Sequence, residues 1–238
     1  MWRQLAVAIA FAAATPGEAF AYRPFDQTDA DTAEEHTIEL ELGPFRLDRG
    51  HGRTEYEPGF VFNYGFAAGW ELVVDVDDFS PLVRRADSYV QTDVLAKHVL
   101  RAGSLQEKSG PSVAIELGPL LPTVPQLSDE AGWSTAVIVS QRWEPLTVHV
   151  NAQLELTRDR DVELVGGAIV EGPDRWRVRP VAEGYIEREN GVNLESGLVG
   201  AIWRDRKTLS FDAAVRVFRE SGATTGEVRV GLTWVLPT

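Results

Sequence analysis

The chain of 238 residues has no cysteine and a single methionine. Without cysteine an exported chain has no disulfide framework, so its fold must be held by burial and backbone hydrogen bonding. Long apolar runs are missing after Tyr22, where charges interrupt every candidate well short of the roughly 20 apolar residues of a spanning helix. A mature chain seated in a bilayer must then cross it as a closed barrel, because each unpaired backbone group in hydrocarbon costs several kcal/mol. Basic residues are also in deficit, 23 Lys and Arg against 36 Asp and Glu, for a net charge of -13. That balance excludes nucleic acid as a partner, since phosphate binding relies on clustered cations, and it argues against an anion-selective pore. The local signatures of catalysis are absent too: no G-x-S-x-G elbow, no H-E-x-x-H helix, no Walker loop. His36, His51, His98 and His149 are scattered without ligand spacing, leaving His98 and His149 as titratable candidates for a lumen wall.

What is present begins with an export signal. Arg3, the apolar run Leu5 to Ala14 and the small-x-small Ala19-Phe20-Ala21 predict a signal peptide over 1–21. The acidic stretch with Asp26, Asp29, Asp31, Glu34 and Glu35 lacks the Gly and closing Glu of a calcium loop. It is expected to be a solvated periplasmic extension, 22–35, with no metal or other cofactor. No linker divides the remainder, so 36–238 is expected to be one all-β domain.

Period-two alternation runs through that domain in about twelve segments of roughly ten residues, the length of a tilted strand crossing a bilayer. They fall near 37–46, 54–64, 69–77, 90–100, 111–119, 132–142, 145–156, 161–171, 174–185, 193–204, 207–219 and 226–236. Ile38, Leu40 and Leu42 oppose Glu39 and Glu41; Trp70, Leu72, Val74 and Val76 oppose Glu71, Asp75 and Asp77; Trp176, Val178 and Pro180 oppose Arg175, Arg177 and Arg179. Tight links at 65–68, 143–145, 172–173 and 205–206 alternate with longer ones near 47–53, 78–89, 120–131, 186–192 and 220–225, as an up-and-down barrel requires. The stretch 101–110 is long where a short turn is expected, and 157–160 is short where a loop is. Tryptophans toward the segment ends fit interfacial girdles, and Gly166-Gly167 fits a kink or a place of close packing.

Gly231, Trp234 and Leu236 in the last segment resemble the C-terminal assembly signal of outer-membrane barrels, which implies lipids of that membrane and the barrel assembly machinery as partners. Arg23-Pro24-Phe25, Thr28-Asp29-Ala30, Glu39-Leu40-Glu41, Val61-Phe62-Asn63-Tyr64-Gly65, Gly69-Trp70-Glu71-Leu72 and Glu116-Leu117-Gly118-Pro119-Leu120 resemble the family named for the phenol meta-degradation pathway. That resemblance implies an outer-membrane β-barrel with a transport role and carries no catalytic set.

The expectation is therefore an antiparallel, up-and-down transmembrane β-barrel of about twelve strands in the outer membrane, passing small solutes passively and not an enzyme. A closed structural or receptor barrel is the alternative, as is a barrel lipid hydrolase or deacylase built on residues such as Ser134, Ser140, Ser210 and His149. Strand parity makes Glu39, Glu41, Glu71, Asp75, Asp93, Lys97, Glu116, His149, Glu155, Glu163, Arg175, Arg177, Arg179, Arg216 and Arg229 the pore-lining candidates. Arg175, Arg177 and Arg179 are expected to form a basic ladder opposed by carboxylates, because a guanidinium facing lipid costs about 2–4 kcal/mol near the midplane. Such a transverse field would orient a polar or zwitterionic solute.

Overall fold

The computed structural model describes residues 23–50, 53–81, 88–125 and 130–237. The segment 1–21, expected to be a signal peptide, and His51 lie outside the described residues. The strands are β1 (Thr37–Gly50), β2 (Arg53–Tyr56), β3 (Gly59–Ala67), β4 (Trp70–Pro81), β5 (Tyr89–Arg101), β6 (Ser112–Val124), β7 (Gly132–Arg142), β8 (Thr147–Leu156), β9 (Val162–Glu171), β10 (Val178–Glu189), β11 (Val192–Arg206), β12 (Leu209–Glu220) and β13 (Ala223–Pro237). From β4 to β13 each strand pairs antiparallel with its chain neighbours, and β13 pairs with β1 from Thr37↔Pro237 to Arg49↔Gly226, which closes the barrel and removes its edges. Both β2 and β3 lie between β1 and β4 and are interrupted only at Glu57 and Pro58, so together they make one wall strand and the barrel has twelve.

The sheet is two-faced. Val150, Leu154, Leu164, Ile186, Val199, Val215, Val217, Val228 and Val230 are exposed on the outer surface, while the inward positions beside them include His149, Asn151, Gln153, Glu155, Glu163, Glu187, Arg216, Glu227 and Arg229. That inversion, apolar outside and charged inside, is the pattern of a wall that meets lipid and encloses water. Trp70, Trp143, Trp176, Trp203 and Trp234 stand exposed near the rim that carries the end of β13, as an interfacial girdle does. His98 belongs there as well: it stacks on Trp70 at 3.9 Å and meets the Gly69 carbonyl, so it lines no lumen.

The rims differ from the sequence expectation in three places. The links 186–192 and 220–225 are two-residue hairpins, with Asn190-Gly191 and Ser221-Gly222 all at positive φ; the primed turn lets pairing run to the tip. The long turn 102–111 coils into a 3-10 segment, Ser104–Gln106, and folds under the barrel mouth with Leu105 buried. β10 begins only at Val178, so Arg175 and Arg177 lie on the β9–β10 connection.

Candidate functional site

The segment 23–35 fills the half of the lumen nearer the termini, in place of a solvated extension. It enters beside β3, where the His36 N–H donates to the Gly65 carbonyl at 2.7 Å and the Ala33 N–H donates to the buried Glu71 carboxylate. Gln106 then donates to the Ala30 carbonyl at 3.0 Å and to Asp31 at 2.8 Å. The Ala30 N–H donates to Ser140 Oγ at 2.9 Å, and Asn151 donates to the Thr28 carbonyl at 2.8 Å. Lys97, fully buried, donates to Thr28 Oγ1 at 2.9 Å and pairs with Asp29 at 3.6 Å. On the far wall Glu183 accepts the Gln27 N–H at 2.9 Å, while Asp26 meets Arg216, Arg229 at 3.0 Å and the Tyr185 hydroxyl at 3.0 Å. Arg23 reaches Asp212 at 3.5 Å, and its N–H donates to Glu41.

Glycines make this passage possible. A Cβ at Gly65 would overlap the Ala33 and Glu34 carbonyl oxygens, one at Gly167 would crowd Gln27, and one at Gly231 would overlap the Arg23 guanidinium. Gly167, expected at a kink, and Gly231, expected in the assembly signal, therefore also clear room for the plug. The residues that carry the family resemblance meet here: Arg23, Thr28, Asp29, Glu41, Asn63, Gly65 and Glu71 all belong to the plug or to the wall that holds it.

Glu39, Glu41, Glu71, Lys97, His149, Arg179, Arg216 and Arg229 are buried inside, and Asp75, Asp93, Glu116, Glu155 and Glu163 line the interior with partial exposure. Arg175 and Arg177 do not. They are exposed on the β9–β10 turn, paired with Glu144 at 2.7 Å and Asp205 at 3.4 Å, so the three-arginine ladder does not form. Only Arg179 turns in, against Glu171 at 2.8 Å and Asp174 at 3.0 Å. Trp234 is exposed outward beside Gly231, which faces in.

Two features go beyond the sequence reading, which named Ser140 and His149 but neither their contact nor Glu171. One is a relay on adjacent strands: Ser140 Oγ lies 2.8 Å from His149 Nδ1, and His149 Nε2 lies 2.9 Å from Glu171. The tautomer that satisfies both contacts carries its proton on Nε2, so the serine donates to the imidazole and the imidazole to the carboxylate. Ser140 is fully buried beneath the Ala30 N–H, which makes the relay an anchor for the plug. The other is a separation of charge by height. Arg179, Arg216, Arg229 and Lys97 all sit at plug level in ion pairs, whereas the half toward the opposite rim holds Asp75, Asp77, Asp93, Glu155, Glu163, Glu187 and Glu189. There Asp75 faces Asp93 across the β4–β5 pair, and Glu163 faces both Glu155 and Glu189. Like charges directly opposite one another destabilise a sheet. Arg158 offsets one of them by pairing with Asp93.

Between plug residues Phe25 to Thr28 and the wall lies a cavity of about 280 Å³, lined on one side by Glu71, Asp75, Asp77 and Glu116. Within the plug, burial and then the neighbouring Asp29 push the Asp31 carboxyl up to about 6, although Gln106, the Thr32 N–H and Lys97 pull it the other way.

No protein-family model matches the chain, and no curated protein matches it. Among solved structures, the COG4313 outer membrane channel from Pseudomonas putida F1 superposes with a TM-score of 0.59 at 9% identity, over 89% of this chain and 100% of the other. The KdgM porin in complex with disordered oligogalacturonate gives 0.57 at 13% identity, over 82% and 98%. The fold is that of outer-membrane channel barrels. At these identities the likeness extends to architecture: an all-β, closed, twelve-stranded antiparallel wall.

Proposed function

We propose that the chain is an outer-membrane channel for small solutes that favours cations, with passage governed by the N-terminal plug. One observation carries this reading: toward the opposite rim the lumen is lined by carboxylates that face one another across strand pairs, with Arg158 pairing one of them, while Lys97, Arg216 and Arg229 are held in ion pairs at plug level. Rings of acidic side chains select cations because they lower the energy of a positive charge in a narrow, low-dielectric passage. The expected zwitterion-orienting field loses its support, since two of its three arginines are outside. The apolar belt supports contact with outer-membrane lipid, and the β13 motif supports handling by the barrel assembly machinery. The quoted motifs support membership in the family named for phenol meta-degradation; an acidic lumen, however, disfavours phenolates, and equally the oligogalacturonate of the KdgM porin. In planar bilayers under a salt gradient, the reversal potential should lie toward the cation equilibrium potential. An anion-directed reversal overturns the selectivity, and a folded protein that stays silent identifies a closed structural or receptor barrel.

A second reading is favoured by the Ser140–His149–Glu171 relay, which has the serine–histidine–carboxylate order of an acyl-transfer triad with the two ring nitrogens exchanged. Its serine is covered by the plug, so hydrolysis requires the plug to leave. Fluorophosphonate labelling of Ser140 and ester turnover lost in His149→Ala would support it; an unlabelled, folded barrel with the plug displaced refutes it.

A further inference from the structure

We propose that the cavity between the plug and the wall is a binding site for an organic cation with a hydrocarbon body, such as an alkyl diamine, a solute class that rests on the channel reading above. The acids come first. Glu71, Asp75 and Asp77 share one face of β4, and Glu116 on β6 joins them across Lys97, with which it pairs in register. The Lys97 ammonium is turned down into the plug, on Thr28 and Asp29. The arginines that line the same cavity are engaged at its other side: Arg23 on Asp212, Arg46 on Glu57 and Glu227, and Arg229 on Asp26 and Glu227.

The second observation is unsatisfied hydrogen-bonding capacity. Glu71 Oε1 and Asn63 Oδ1, on side chains 0% and 1% exposed that line the cavity, have no hydrogen-bond partner, while the other polar atom of each is bound, to the Ala33 N–H and to Glu41. Buried acceptors without donors are costly, and a ligand carrying N–H groups supplies the missing donors. Acceptors on every charged or polar group of this wall call for a donor with positive charge.

A bare metal ion does not fit, because among the described residues no three His, Asp or Glu come together in a way that could hold one. The acids are instead spread along the strand, at about 7 Å for each i, i+2 step, a spacing close to the reach of a four-carbon diamine. Val61, Val73, Leu95 and Phe25 supply apolar surface between them, and Phe25 adds an aromatic face for a cation. Charged ends on carboxylates with methylenes against valine and leucine describe a small alkylammonium, and about 280 Å³ is close to the lower end of small-ligand sites, roughly 300 Å³.

Calorimetry on the refolded full barrel in detergent tests this with three probes: putrescine, its neutral isostere 1,4-butanediol, and calcium chloride. Putrescine is expected to bind saturably, at least about tenfold tighter than the diol, and Asp75→Asn/Asp77→Asn is expected to weaken it by about tenfold or more. If that double variant loses heat-modifiable migration, Glu116→Gln provides the same comparison. Absence of binding to folded wild-type barrel, equal affinity for the diol, or stoichiometric displacement of putrescine by calcium overturns the proposal. Conductance on the same preparation separates the two readings: a barrel that conducts salt yet binds no putrescine refutes the diamine site alone, and one that binds putrescine yet stays silent refutes the channel alone.

Discussion

Asp31 shows how one carboxyl can tie plug seating to acidity. In the seated plug its pKa is pushed up to about 6, by burial first and by Asp29 second. A displaced plug returns it to solvent and to the ordinary aspartate value near 4. The seated state therefore holds the proton more tightly, and its stability rises as pH falls through about 6, levelling off below about 4. At neutral pH and above that contribution is gone. The dwell time of the low-conductance state should lengthen between pH 7.5 and pH 5, and Asp31→Asn should flatten this dependence; an unchanged slope in Asp31→Asn shows that another group sets it. Gly65 gives a steric counterpart. A valine there would drive its side chain into the Ala33 and Glu34 carbonyls at the point where the plug leaves the wall. Overpacking of this kind costs about 1–3 kcal/mol, enough to raise the displaced population by roughly five- to 150-fold. Limited proteolysis should then cleave within 23–35 at a correspondingly higher rate while the barrel keeps its heat-modifiable migration.

At the scale of elements, the strands were legible because lipid outside and charge inside impose a strict period of two. β7 matches its expected span of 132–142, and β1, β4, β6, β10 and β13 run a few residues past theirs. The sequence misled where alternation continued outside a strand: Arg175, Trp176, Arg177 and Val178 keep the period through a turn whose first contact is the Trp176 N–H on the Pro173 carbonyl. The plug was not legible for a different reason. Its composition is that of a solvated tail, and its partners stand far away in sequence, such as Glu183, 156 residues from Gln27. The signal that could have exposed it was the lumen-facing glycines Gly65, Gly167 and Gly231, small where a strand gains nothing from being small. Because the chain has no cysteine, a cysteine pair reports on the plug without background. Ala30→Cys with Ser140→Cys should be joined by a short bifunctional thiol reagent and should hold the channel in its low-conductance state; a pair that fails to cross-link in the folded barrel refutes the seated plug.

Across the whole molecule, charge is sorted along the barrel axis. At plug level each buried cation has acidic partners, as Arg216 has Asp26 and Glu183, and such networks contribute shape and register more than stability. Toward the opposite rim the carboxylates outnumber their counterions, and Glu155, Glu163 and Glu189 stand as successive cross-strand neighbours. Each like-charged pair works against the sheet by about 0.2–1 kcal/mol. A purely structural role would have the ring stabilise the barrel, whereas a selective role lets it cost stability. The variant Glu155→Gln/Glu163→Gln/Glu189→Gln distinguishes these. Removing three like charges from one rim should leave the urea midpoint unchanged or raise it, because glutamine keeps the size and gives up the repulsion. The same change should move the reversal potential toward zero and weaken its dependence on ionic strength, since the fixed charge that attracts cations is gone. A lower urea midpoint with selectivity intact would mean that these glutamates hold the barrel together through partners of their own, and that the cation preference, if measured, arises at the Asp75 and Asp77 level deeper in the lumen.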